Sequence, residues 1–181
     1  MTEAAYALHL VSVFNTSASR ALLWREEGTT NFDTYILDDC FVYEMYPTQA
    51  IRVCRTRTSN VIVKVVPSAE SQSYSGQGAC ARIDNPLNPT SGLFAFRYLG
   101  QIHLYELAGG STWTQRAAST SNPYVAGAAI EIRVSGTTAQ LYYNNTQVGS
   151  NATVGASTGR YHGYYLPWSG NSLGILTITA Q

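Results

Sequence analysis

Ile130-Glu-Ile-Arg-Val134 runs into Ser135-Gly136-Thr137-Thr138 and then Ala139-Gln-Leu-Tyr-Tyr143, which ends at Asn144-Asn145. Ile130, Ile132 and Val134 fall on one face of an extended chain, and Glu131 and Arg133 fall on the other. This period of two is that of a half-buried strand. The Ser-Gly-Thr-Thr and Asn-Asn segments supply residues that tolerate the left-handed backbone of tight hairpins. One strand, one tight turn, a second strand and a second turn make an antiparallel unit.

The same cadence extends outward. Val61, Val63 and Val65 oppose Ile62, Lys64 and Val66. Gly78-Ala-Cys-Ala-Arg-Ile83 is a small-residue strand, Leu93-Phe-Ala-Phe-Arg-Tyr98 is rich in aromatics, and Ile102-His-Leu-Tyr-Glu-Leu107 alternates again. Arg160 to Leu166 and Leu173 to Thr179 complete the set. Gly100-Gln101 is short enough for a hairpin, and Gly109-Gly110 closes the next strand. Asp84 to Gly92 is a long polar loop whose two prolines fix its path. Strands at such spacing with such turns predict an antiparallel sandwich or barrel. Ser19–Glu27 reads as a helical turn or a strand entry. Residues 1–28 read as a first strand or as an assembly arm that pairs with a neighbour's sheet edge. Residues 29–181 read as the sandwich domain.

Eleven basic and eleven acidic residues give zero formal charge over 181 residues, and charged residues are 12% of the chain. The usual share is about 25%. Ten of the eleven basic residues are arginine; Lys64 is the single lysine. A neutral chain is a poor candidate for phosphate neutralisation, so no nucleic-acid partner is expected. The apolar share excludes disorder. No apolar run approaches the roughly 18 residues of a membrane helix, so no membrane partner is expected. Glu3 precedes the first apolar stretch where an export signal would carry basic residues, which predicts an unexported chain. Cys40, Cys54 and Cys80 show no metal spacing and read as buried thiols, with a Cys40–Cys54 bridge as the alternative.

The C-terminal part carries a further cadence. It comprises Gly92-Leu-Phe-Ala-Phe-Arg-Tyr98, Gln101-Ile-His-Leu-Tyr-Glu-Leu-Ala-Gly-Gly110, Ala129-Ile-Glu-Ile-Arg-Val-Ser-Gly-Thr-Thr138, Gln140-Leu-Tyr-Tyr-Asn-Asn145 and Thr158-Gly-Arg-Tyr-His-Gly-Tyr-Tyr165. Over about residues 58–181 this resembles the laminin-G-like modules of the concanavalin A-like lectin/glucanase superfamily. Asn145-Thr146 stands where those modules usually have Asn-Gly. The resemblance implies an all-β fold, an antiparallel two-sheet jelly-roll β-sandwich. Such modules occur in secreted glycan-binding proteins, as accessory domains of enzymes and in phage structural proteins. With no export signal, the chain is expected to be a non-enzymatic virion structural or attachment protein, a capsid decoration or tail component. Its partners would be copies of itself or other virion proteins. The alternative is a free-standing extracellular carbohydrate-binding module, and a weaker alternative is a glycoside hydrolase.

Hydrolysis of a glycosidic bond needs two flanking carboxyl groups. None of the eleven acids stands in the E-x-D-x-x-E pattern of the superfamily's glucanases, and no G-x-S-x-G elbow surrounds a serine. No catalytic residue and no cofactor is therefore expected. Asp84, Asn85 and Asn88 could offer oxygens to Ca²⁺, although Asx turns explain them equally. Sugar binding needs exposed rings for the C–H face of a pyranose, with amides or guanidinium for its hydroxyls. The candidates are Arg160, Tyr161, His162, Tyr164, Trp168 and Asn171 near the C-terminus. Trp113, with Gln115 and Arg116, is a second group.

Overall fold

The structure, a computed structural model, describes residues 7–10, 23–27, 35–36, 40–46, 49–67, 78–121, 125–155, 158–166 and 175–181. Among the described residues there is no helix; fifteen strands form two antiparallel sheets. The eight-stranded sheet runs, edge to edge, β13 (Thr146–Thr153), β12 (Thr138–Tyr143), β11 (Ile130–Ser135), β6 (Val61–Val66), β15 (Ile175–Ala180), β1 (Ala7–Leu10), β2 (Leu23–Glu27) and β3 (Tyr35–Ile36). The seven-stranded sheet runs β10 (Thr112–Ala118), β9 (Gln101–Ala108), β8 (Gly92–Tyr98), β7 (Gly78–Ile83), β14 (Tyr161–Leu166), β5 (Gln49–Arg55) and β4 (Cys40–Tyr46).

Alternation in the sequence becomes the inner face of each sheet. Val61, Val63 and Val65 are fully buried, as are Ile132, Val134, Ala139 and Leu141 beside them. They meet Ala79, Ala81, Leu93, Ala95, Ile102, Leu104 and Tyr164 of the opposite sheet in one apolar cluster. Each large apolar side chain buried there contributes about 1.5–3 kcal/mol. The expected two-sheet sandwich is therefore present.

The seven-stranded sheet is apolar on its other face as well. Ile51, Val53, Cys80, Ile83, Phe94, Leu107 and Tyr165 form a second buried cluster, with Phe96 and Tyr161 packed against it. Cys54, Ala79, Ala81, Leu93, Ala95, Ile102, Leu104 and Tyr164 of the same strands belong to the inter-sheet cluster, so this sheet carries apolar side chains on both faces. A sheet with one solvated face shows cleaner alternation than this.

Asn144 and Asn145 make the two-residue β12–β13 hairpin with φ of 49° and 61°. Both left-handed positions are thus filled by asparagine, and the departure from Asn-Gly leaves the turn intact. The segment Leu23–Glu27 is strand, which decides between the two readings of Ser19–Glu27 over its described part. Strand β1 lies within the eight-stranded sheet, between β15 and β2.

The cysteine expectation needs correcting. Cys80 is a buried free thiol, but Cys54 is disulfide-bonded. The β4–β5 register sets Cys40 directly opposite Cys54. Spacing along the chain could not show this, because the pairing depends on which strands become neighbours.

Candidate functional site

The C-terminal candidates separate in space. His162 is fully buried and Tyr164 is 1% exposed, its ring in the inter-sheet core. Tyr161 is half-buried against the outer cluster. Arg160 is exposed beside β14, and its carbonyl accepts the Thr56 amide at 2.8 Å. Trp168 and Asn171 lie outside the described residues. His162 and Tyr164 thus serve the interior and present no face to a ligand.

The reason lies in a bulge. Between β7 and β14, Tyr161 pairs with Ile83 and Gly163 with Cys80, so Ala81 and Arg82 together oppose His162. Arg82 takes a left-handed φ of 55°. Its amide donates to His162 Nδ1 at 3.0 Å, and Nε2 lies 3.2 Å from the Thr58 carbonyl. With Nδ1 accepting, the proton sits on Nε2 and is donated to Thr58. Burial pushes the His162 pKa down to about 4; the Thr58 bond opposes this and the Arg82 cation adds to it. Cys80 donates to the Tyr164 carbonyl at 3.2 Å, and burial pushes its thiol pKa well up. Neither group is an available base or nucleophile.

The other candidate group, around Trp113, stands on the outer face of β8–β10. There Phe94 pairs with Tyr105, Phe96 with His103, Tyr98 with Gln101, Leu107 with Trp113 and Tyr105 with Gln115. The rings are in contact. Phe94 and Trp113 centroids are 4.9 Å apart, and Phe96 and Tyr105 stack at 5.7 Å. Tyr165 meets Phe94 at 5.1 Å and Phe96 at 5.2 Å, edge to face. The strip opens towards the sheet edge: Phe96 and Tyr105 are half-buried, Trp113 is 36% and Tyr98 40% exposed. The Tyr105 hydroxyl donates to Gln115 Oε1 at 3.1 Å. Arg116 turns away to pair with Glu106 at 2.6 Å.

His103 lies within this strip, its ring 5.9 Å from Tyr105, 6.2 Å from Phe96 and 6.4 Å from Tyr98. It is 7% exposed, and neither ring nitrogen has a hydrogen-bond partner. Sequence reasoning treated it as an ordinary strand residue. The available signal was the hairpin itself, where F-x-F-x-Y and H-x-Y put five rings on one face once the register is set.

The described carboxylates lie elsewhere. Glu106 Oε1 accepts the Gly155 amide at 2.6 Å while Oε2 holds Arg116. Glu131 is on the other sheet, opposite Lys64, and pairs with Arg133. Asp84 accepts the amides of Thr90 at 2.9 Å and Ser91 at 3.0 Å and the Thr90 hydroxyl, and Asn85 Oδ1 accepts the Leu87 amide at 3.0 Å. Burial pushes the Asp84 pKa up, but these bonds outweigh it and hold the carboxyl below its ordinary range. Asn88 is exposed in the same loop. Among the described residues no three His, Cys, Asp or Glu side chains gather as metal ligands.

No family model matches the chain, and no curated protein matches it in sequence. Solved structures do match in fold. The carbohydrate-binding module CBM66 from Bacillus subtilis aligns with a TM-score of 0.52 at 10% identity, over 75% of this chain and 81% of that one. Sheep galectin-11 aligns at 0.48 and 11% identity, over 78% and 98%. The kappa-carrageenase of Pseudoalteromonas carrageenovora aligns at 0.42 and 10% identity, over 71% and 65%. The chain has the concanavalin A-like jelly-roll fold expected from its cadence. That fold does not settle whether the chain is an enzyme.

Proposed function

We propose that this chain is a non-enzymatic carbohydrate-binding module that holds a glycan on the ring strip of β8–β10. The observation that carries the reading is the set of rings on one sheet face, with half-buried Phe96 and Tyr105 stacked on each other, exposed Tyr98 joined to them through His103, and partly exposed Trp113 resting on buried Phe94. Apolar rings take the C–H face of a pyranose, and amides at the rim take its hydroxyls. Gln101 and Gln115 stand at that rim. Among the described side chains, no pair of carboxylates flanks the strip, and glycoside hydrolysis needs such a pair. The fold shared with a carbohydrate-binding module is consistent with this reading. A capsid or tail role rests on association alone, and no feature of either sheet favours it over glycan binding.

The test is a glycan microarray followed by calorimetry on the strongest hit. Wild-type protein is expected to bind. Trp113→Ala is expected to weaken binding by about 2 kcal/mol, roughly thirtyfold, as truncation of an exposed anchoring Trp does. A wild type that binds no glycan, or a Trp113→Ala variant that binds equally well, overturns the reading.

A further inference from the structure

We infer that the ligand is the interior of an extended polysaccharide chain, held at two separate ring platforms, Trp113 at one end of the strip and Tyr98 at the other. The inference rests on the strip being the glycan site. The strand register sets the span. Trp113 lies opposite Leu107 of β9 and Tyr98 opposite Gln101, and β9 pairs with β8 without interruption between those two positions. Six residues of strand separate them, about 20 Å of backbone. The Trp113 ring leans onto Phe94, which precedes Tyr98 by four residues of β8, so the two platforms are about 13–20 Å apart. A single pyranose, about as wide as one aromatic ring, cannot rest on both. Several units in line can.

The exposed rings of the strip are the two end ones, and the half-buried, stacked pair Phe96 and Tyr105 forms the floor between them. A site that captures a chain end is a concave pocket, with a wall where the last sugar stops. Among the described residues no wall closes either end. The strip runs out at Leu99–Gly100 beyond Tyr98 and at Gly109–Gly110 beyond Trp113. Leu99 is 59% exposed, and a Cβ built on Gly100 or Gly109 would meet nothing within 4 Å. The polar groups divide in the same way. Near Trp113, the Tyr105 hydroxyl occupies Gln115 Oε1, which leaves the exposed Gln115 amide nitrogen as a donor. Near Tyr98, Gln101 Nε2 donates to the Thr120 carbonyl at 3.3 Å, which leaves Oε1 as an acceptor. Sugar hydroxyls both donate and accept, so each platform has one amide group to fix the unit resting on it.

The experiment has two arms. The first titrates wild-type protein, Trp113→Ala and Tyr98→Ala by calorimetry with cello-, laminari- and β-1,4-mannooligosaccharides of two to six units. The second repeats the wild-type titration with the best-bound hexasaccharide blocked at both chain ends, reduced to the alditol at one and O-methylated at the other. Wild-type affinity is expected to rise about tenfold or more with chain length and to level off once the second platform is reached. Each substitution is expected to weaken the hexasaccharide about tenfold or more and to abolish that rise. Blocking the ends is expected to leave the affinity unchanged.

Affinity that stays flat from the disaccharide to the hexasaccharide overturns the inference. So does a loss of binding on blocking the ends, which marks recognition of a terminal sugar. If Tyr98→Ala binds the hexasaccharide as the wild type does while Trp113→Ala does not, there is one platform; the inference fails and glycan binding stands. If the wild type binds none of the three series but does bind a glycan of one or two sugars on the array, the inference falls and the proposed function does not. Should either variant fail to fold, the wild-type length dependence and the blocked hexasaccharide decide.

Discussion

The backbone amide of Arg82 donates to Nδ1 of His162 across 3.0 Å, at the point where the β7–β14 ladder gains a residue. This bond fixes the tautomer, and burial with the nearby cation keeps the ring neutral down to about pH 4. In the unfolded chain a histidine titrates near 6.5. Between those values the unfolded chain binds a proton that the folded chain refuses, so stability rises with pH. The contribution is complete above about 6.5 and is lost as pH falls towards about 4, for a total of about 3 kcal/mol. Urea unfolding of wild type and His162→Asn across this window checks it. The asparagine variant should lose the wild type's extra slope, and equal slopes would count against the assignment.

Arg82 itself is 2% exposed, and its guanidinium reaches three oxygens: Ser59 O at 2.8 Å, Gly136 O at 2.6 Å and Asn60 Oδ1 at 2.8 Å. Removing it breaks three charge-assisted hydrogen bonds, with Asn60 Oδ1 keeping only the Gly136 amide, so Arg82→Ala should cost about 3 kcal/mol. Its left-handed backbone adds a second expectation. Arg82→Gly should be about 1 kcal/mol more stable than Arg82→Ala, the reverse of the usual order within strands. Denaturation midpoints of the two variants measure this directly.

Most of the sandwich was legible because its central strands bury one face: the valines of β6 and the isoleucines of β11 announce themselves. Strands β10 (TWTQRAA) and β13 (TQVGSNAT) did not, because they are edges with mostly exposed side chains and so lack an apolar period. The candidate site was legible only in part. Trp113, Gln115 and Arg116 were grouped as candidates by sequence; the register puts Trp113 and Gln115 on one face, whereas Arg116 leaves it at a bulge. His162 and Tyr164 looked like surface residues because polar-tipped rings in a strand read as amphipathic. A sheet apolar on both faces, with a bulge, puts both inside. His103 escaped notice because its surroundings are made by three rings from two strands, Phe96, Tyr98 and Tyr105, and no spacing in one strand encodes them.

The β12–β13 turn offers a cheap gain. Asn145 sits at φ 61° with its side chain exposed. Asn145→Gly should relieve left-handed strain and raise stability by about 0.5 kcal/mol, a shift of about 1–2 °C in Tm. A calorimetric scan showing a lower midpoint would mean that the asparagine side chain supports the turn.

Tyr105→Phe separates binding from stability. The hydroxyl is half-buried and bonds only to the exposed Gln115, so thermal stability should change by less than about 0.5 kcal/mol. Affinity for the best glycan should fall severalfold, because Gln115 loses the bond that orients its amide. Calorimetric titration of both proteins tests it. A loss of stability with affinity intact would place the hydroxyl in the fold and outside the binding face.

Strand β6 is bonded to β11 on one side and β15 on the other, so its partners lie roughly 70 and 115 residues further along the chain. A growing polypeptide therefore carries Val-Ile-Val-Lys-Val-Val with neither partner for roughly a third of its length, and with one edge open until β15 is made. Short β-branched segments of this kind seed intermolecular sheets unless something interrupts them. The interruption here is Lys64, the single lysine of the whole chain, placed mid-strand on the outward face, where it later stands opposite Glu131. A charge at this position breaks the β-branched run before the folded sheet exists to cover it.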